Sequence, residues 1–289
     1  MQTSLDCVPC LLRQSLEATR AVTADVGVQE HVIREVLRML AELELNQPPP
    51  LLAQAVHRRL RELTGADDPY QRAKTRFNRL AMDALPELRE RVRHAEDPLL
   101  AAAQFAVAAN AIDMGISSAI TDEAVREALR GTLGEPVHGE WREFVDAAAE
   151  AKNILYLTDN AGEIAVDRLV IEVLGPERVT VAVRGAPVLN DATVVDAREV
   201  GMVELTQVID NGSDAPGTLI DDCSSEFLQH FDRADLIIAK GQGNFESLSG
   251  TAANVAFWFK VKCEVVSRQI GLPVGAHALL SPGHKGTGQ

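Results

Sequence analysis

The chain has 289 residues, 46% of them hydrophobic and 24% charged, with a formal net charge of −14. That length allows one large α/β domain, or one such domain joined to a helical one, with a core that needs no disulfide staples; the apolar share argues against a disordered chain. The acidic balance opposes nucleic acid and anionic membrane surfaces as partners, whereas a small anionic substrate stays compatible because a few local cations or a metal invert the field inside a cleft.

The cysteines are Cys7, Cys10, Cys223 and Cys263. The first ten residues lack the long apolar stretch of a signal peptide, and no apolar run reaches the roughly 18 residues of a membrane span. The expected location is the cytoplasm, where disulfides are rare.

The first half predicts helix after helix. Leu12, Leu16 and 18–22 recur at helical spacing from Pro9. Val32, Val36, Leu40 and Leu43 form a stripe over 29–45, which Pro48-Pro49-Pro50 ends. A third helix covers 51–64, punctuated by Gly65, and Asp67-Asp68-Pro69 opens a fourth that runs past Met82. The stretch 99–114 is apolar all round and predicts a buried helix. Thr121-Asp122 caps another, and 141–152 is the last of the series.

From Asn153 the pattern changes. Strands are predicted at 154–157, 179–183 and 236–239, with weaker ones at 202–205, 208–209 and 263–266. Helices are predicted after 163, over 191–199 and over 218–231. Strands alternating with helices predict a parallel sheet, with ligands bound beyond its carboxyl edge. The expected organisation is a helical N-terminal domain, 1–150, followed by an α/β metal- and phosphate-binding domain, 151–289. The tail 281–289 is expected to fray.

Three polar clusters fall at the three clearest strand ends. Thr158-Asp159-Asn160-Ala161-Gly162-Glu163 offers oxygen donors suited to hard cations, and equally an Asp or Asn cap for the next helix; both roles are compatible. In the segment Arg184 to Thr193, Arg184 is a natural fork for phosphate and Asp191 a third oxygen ligand, or the two are a surface cation and a helix cap. Lys240-Gly241-Gln242-Gly243-Asn244 resembles a phosphate-cradling turn, or is a solvated lysine beside a tight turn; it lacks the Walker order. Together the clusters fit phosphoryl chemistry better than hydride transfer, and no Gly-x-Gly-x-x-Gly opens the first helix of the sheet region. Cys7-Val8-Pro9-Cys10 is a metal or redox pair, or a packing pair at a helix start; Cys263 or a histidine would have to complete a zinc site through the fold.

These clusters in this order resemble the metal-dependent damage-control phosphatase family, first catalogued as domain of unknown function 89, in its prokaryotic branch with an N-terminal Cys-x-x-Cys. The resemblance spans nearly the whole chain and rests on the segments 7–10, 68–70, 108–113, 158–163, 184–193 and 239–246. It implies a helical N-terminal region packed on a Rossmann-like α/β/α sandwich. It implies hydrolysis of small phosphate monoesters, sugar phosphates or damaged metabolites, with Mn²⁺, Co²⁺, Ni²⁺ or Mg²⁺. The family's metal ligands fall on Asp159, Asn160 and Asp191, and its phosphate-binding lysine on Lys240, beside Gly241. Glu163, Arg184, Asn190 and Asn244 are expected to line the substrate pocket, with Asn110 and Asp113 facing it from the helical region. Arg184 stands where many relatives are expected to carry Lys, and Ala186 where Gly is frequent. An S-adenosylmethionine-dependent carboxyl methyltransferase and a non-catalytic binder of metal or phosphometabolites are the alternative functions.

Overall fold

A computed structural model describes residues 1–42, 44–110, 123 and 136–282. The N-terminal helices are α1 (Cys7–Val22), α2 (Val26–Glu42), α3 (Pro49–Thr64), α4 (Gln71–Arg93) and α5 (Pro98–Ala109). There follow β1 (Val137–His138), α6 (Trp141–Glu150), β2 (Ile154–Leu157), α7 (Glu163–Leu174), β3 (Val179–Val183), α8 (Val194–Glu199) and β4 (Gln207–Asp210). The chain continues through α9 (Ser225–Arg233), β5 (Leu236–Lys240), α10 (Gln242–Leu248), β6 (Val255–Lys260), α11 (Glu264–Ile270) and β7 (His277–Leu280). Among the described residues no helix is long and apolar enough to cross a membrane.

The strands form one sheet in the order β1-β7-β6-β5-β2-β3-β4, parallel except for the β6–β7 pair. Alternate residues of each buried strand feed opposite faces. Ile154, Tyr156 and Ile238 enter the core shared with α4, α5 and α7, while Leu155, Leu157, Ile237 and Ala239 enter the one shared with α9 to α11. The fold is therefore an α/β/α sandwich with a helical N-terminal region, as expected. A separate core of Leu11, Val36, Leu52, Val56 and Leu60 joins α1, α2 and α3. Packing thus changes character after α3, and β1, which precedes residue 150, already belongs to the sheet.

Several local expectations are corrected. Residues 263–266 are not a strand: Cys263 is the extended N-cap of α11, and Gly271 closes that helix in the left-handed conformation. The segment 202–205 is a turn that follows α8, and 218–223 holds only a short 3₁₀ turn (Ile220–Asp222) before Ser224 caps α9 through the Phe227 N–H. Strands β1, β6 and β7 were not anticipated. The helix cap at Thr121-Asp122 and most of the tail lie outside the described residues.

The register places the site. Leu157 pairs with Ala182 on one side and Ala239 on the other, so the turns after β2, β3 and β5 lie side by side. The chain runs from β2 outward through β3 to β4, then returns to β5 on the other flank of β2. That reversal is where α/β sheets open a ligand crevice.

Candidate active site

After β2, Thr158 still pairs with the sheet, its N–H donating to Ala182 O (3.0 Å). The next residues leave β2 and pair instead with the segment after β3. Ala161 N–H donates to Asn190 O (2.8 Å), Ala192 N–H donates to Asp159 O (2.7 Å), and Asn160 and Asp191 form an antiparallel bridge. This pairing sets the side chains of Asp159, Asn160 and Asp191 at one place, all of them buried. Two turns permit it. Gly162 sits at φ 79°, where a Cβ would come within 2.9 Å of Phe77, and its N–H donates to Asn78 Oδ1 (2.6 Å). Gly241, after β5, has φ 82°, and a Cβ there would lie 2.1 Å from Asp159 Cγ, so the absent side chain is the space the carboxylate fills.

Asp159 Oδ2 accepts from the side-chain amides of Asn110 (2.7 Å) and Asn160 (2.6 Å). Glu163 Oε2 accepts from the same two amides, at 2.8 and 3.1 Å. Beneath them Lys240 Nζ donates to Glu163 Oε1 (2.6 Å), Asp167 Oδ1 (2.7 Å) and Ala106 O (3.1 Å), and Tyr156 OH donates to Asp167 Oδ1 (2.7 Å). Lys240 was expected to hold phosphate. It is instead fully buried, with all three ammonium hydrogens given to protein acceptors, because α7 presents Glu163 and Asp167 one turn apart above it. Burial is the largest influence on Lys240 and opposes its charge, but the Asp167 and Glu163 carboxylates outweigh it and hold its pKa above the ordinary lysine value. Burial pushes Asp167 up to about 6 and Tyr156 well above its usual range.

Arg184, at the end of β3, is also buried. Its Nε donates to Asp191 Oδ2 (2.7 Å) and its Nη1 to Gly217 O (2.9 Å) and Asn244 Oδ1 (3.2 Å), while Nη2 has no partner among the described residues. Asn244 in turn donates to Thr158 O (3.2 Å) and Lys240 O (2.7 Å), tying the three strand ends together.

A cavity of about 280 Å³ opens beside these turns, with Asp159, Asn160, Asn190 and Asp191 at its wall. Glu163, Arg184, Lys240, Gly241, Asn244 and Asn110 lie behind that wall rather than on it, and Asp113 is outside the described residues. Sequence reasoning missed Asp167 and Tyr156 behind it and Lys262 on it, and gave no role to Gln242 and Glu246, which line it within the 239–246 segment. Burial raises Glu246 to about 7 although Gln242 donates to its carboxylate (2.8 Å). Cys7, Cys10 and Cys263 line the same cavity as free thiols. Among the described residues no three or more His, Cys, Asp or Glu side chains are grouped to hold a metal. At the strand ends the side-chain donors are two carboxylates and one amide. Hard oxygen donors, held in place by a glycine that leaves room for Asp159, fit a hard divalent cation that completes its shell with other oxygens.

Comparison with known proteins agrees with this architecture. Residues 3–278 match the family model described as the damage-control phosphatase ARMT1-like domain. A damage-control phosphatase of Archaeoglobus fulgidus is 34% identical, covering 95% of this chain and 97% of its own. A damage-control phosphatase of Pyrococcus horikoshii is 30% identical, covering 96% of each. The crystal structure of a DUF89 family protein from Pyrococcus horikoshii superposes with a TM-score of 0.89 at 29% identity, covering 98% of this chain and 99% of that one. The turn pairing after β2 and β3, the helical N-terminal region and these near full-length matches together place the chain in the damage-control phosphatase family with the ARMT1-like domain.

Proposed function

We propose that the protein is a metal-dependent phosphatase acting on small phosphate monoesters, sugar phosphates or phosphorylated, damaged metabolites among them. The observation that carries this reading is the pairing of residues 159–161 with 190–192, which brings Asp159, Asn160 and Asp191 to one wall of the cavity. These three would hold a divalent cation such as Mn²⁺, Co²⁺, Ni²⁺ or Mg²⁺. When bound, the cation would supply charge neutralisation on the phosphate oxygens. Arg184, behind the wall, orients Asp191 through Nε. Asn190 and Lys262 line the cavity and would contact the substrate. The cavity volume of about 280 Å³ suits a small metabolite rather than a polymer.

The test is phosphate release from para-nitrophenyl phosphate and a panel of sugar phosphates, using metal-stripped protein with each cation added back. The expected result is metal-restored turnover that a variant with Asp159→Ala and Asp191→Ala lacks. Folded protein without turnover under any cation would overturn the reading in favour of a binding protein.

A further inference from the structure

We infer that Glu163 is a positioning residue that fixes which atom Asn160 presents to the cavity, and that Lys240, Asp167 and Tyr156 hold Glu163 to that task. The inference rests on Asn160 being a cation ligand. An amide is a ligand only through its oxygen; turned over, it offers two N–H donors and repels a cation. Something must therefore choose the orientation. Asn160 Nδ2 lies 2.6 Å from Asp159 Oδ2 and 3.1 Å from Glu163 Oε2. Both are acceptors when ionised, so the nitrogen belongs on their side and Oδ1 on the other.

Asp159 lines the cavity and would have to serve the cation as well. Glu163 does not line it and is fully buried, so its hold on the amide is independent of what the cavity binds. Both of its oxygens are committed: Oε1 to Lys240, and Oε2 to Asn110 and Asn160. Lys240 is fixed in turn by Asp167, and Asp167 by Tyr156. The chain Tyr156–Asp167–Lys240–Glu163–Asn160 thus runs from the buried face of β2 to the cavity wall, with its first four members fully buried. Outer partners of this kind orient ligands and typically change metal affinity 10- to 100-fold when altered.

Glu163→Gln tests this with little change in shape. Lys240 requires the oxygen of the new amide, so its NH₂ falls opposite Asn160 Nδ2, donor against donor, and Asn160 escapes by turning its own nitrogen toward the cavity. Mn²⁺ affinity, read by calorimetry and by Mn²⁺ electron paramagnetic resonance on the full chain, is expected to fall about 10- to 100-fold. Asn160→Asp is made in both backgrounds; it restores an acceptor opposite the new donor, so it is expected to raise Mn²⁺ affinity by a larger factor in Glu163→Gln than in the wild type, where its carboxylate faces Asp159 and Glu163, a coupling that a purely structural role would not produce. Should Glu163→Gln not fold, Glu163→Asp keeps the charge, shortens the reach and is expected to weaken Mn²⁺ in the same direction. Asp159→Ala is run alongside. Wild-type Mn²⁺ affinity in folded Glu163→Gln or Glu163→Asp, with binding lost in Asp159→Ala, would overturn the positioning role and leave the metal site standing. Undiminished binding in Asp159→Ala would instead overturn the metal site itself.

Discussion

Replacing Gly241 by alanine would put a Cβ 2.1 Å from Asp159 Cγ, at a backbone position (φ 82°, ψ 155°) that side chains avoid. The conformational cost is about 1–3 kcal/mol, and forcing a methyl into filled space adds about 1–3 kcal/mol, for a total of roughly 2–6 kcal/mol. Relief comes only if the Asp159 carboxylate moves, so cation binding should suffer together with stability. Gly65 is a control within the same chain: it caps α3 at φ 67°, ψ 14°, and a Cβ there would meet nothing within 4 Å. Gly65→Ala should cost only about 1–2 kcal/mol and leave the site intact. Urea unfolding of the metal-free wild type and both variants, followed by Mn²⁺ titration, measures the two effects separately. Equal destabilisation in the two variants, with wild-type Mn²⁺ affinity in Gly241→Ala, would refute the claim that Gly241 exists to admit Asp159.

Other expectations follow from the buried charges. Arg184→Ala removes the guanidinium paired with the buried Asp191 carboxylate and should cost the metal-free protein up to about 3–5 kcal/mol in urea unfolding; added Mn²⁺ should return part of that stability by binding the folded state. Glu246 titrates near 7 in the folded protein against an ordinary 4.5. The folded state therefore binds the proton more tightly, and this group lowers stability as pH rises from about 4.5 to 7. Glu246→Gln should gain on wild type across that window by at most ~3 kcal/mol, and a stability difference that stays flat with pH would contradict the assignment. Burial pushes the Cys223 thiol up to about 12. Among the four cysteines it should react most slowly with iodoacetamide at pH 8, as followed by peptide mass spectrometry, and preferential labelling of Cys223 would contradict that environment.

The residues at the strand ends were legible in the sequence, because an apolar run breaks into Asp159-Asn160 and another into Arg184 with Asp191 close behind. What stands behind those residues was not legible. Tyr156 sits inside a buried strand and reads as a core aromatic. Asp167 sits in an amphipathic helix and reads as a solvated carboxylate. Only the pairing of β2 with β5 brings both to Lys240, and that pairing is a long-range fact. Lys-Gly-x-Gly likewise describes a turn and not what lies beneath it, so the buried contacts of Lys240 with Glu163 and Asp167 were not legible. Cys263-Glu264-Val265-Val266 has strand-like composition, yet the extended cap at Cys263 and the left-handed Gly271 make a short helix. Strand β1 is a short edge piece and β7 a short strand between it and β6, so the identity of each depends on its neighbours.

The most direct test of the central claim is anomalous diffraction from crystals of the metal-stripped protein soaked with Mn²⁺. A single strong peak bounded by the carboxylates of Asp159 and Asp191 and by Asn160 Oδ1 is the expected result. A peak beside Cys7, Cys10 and Cys263, or an Asn160 amide that turns its nitrogen to the metal, would contradict it.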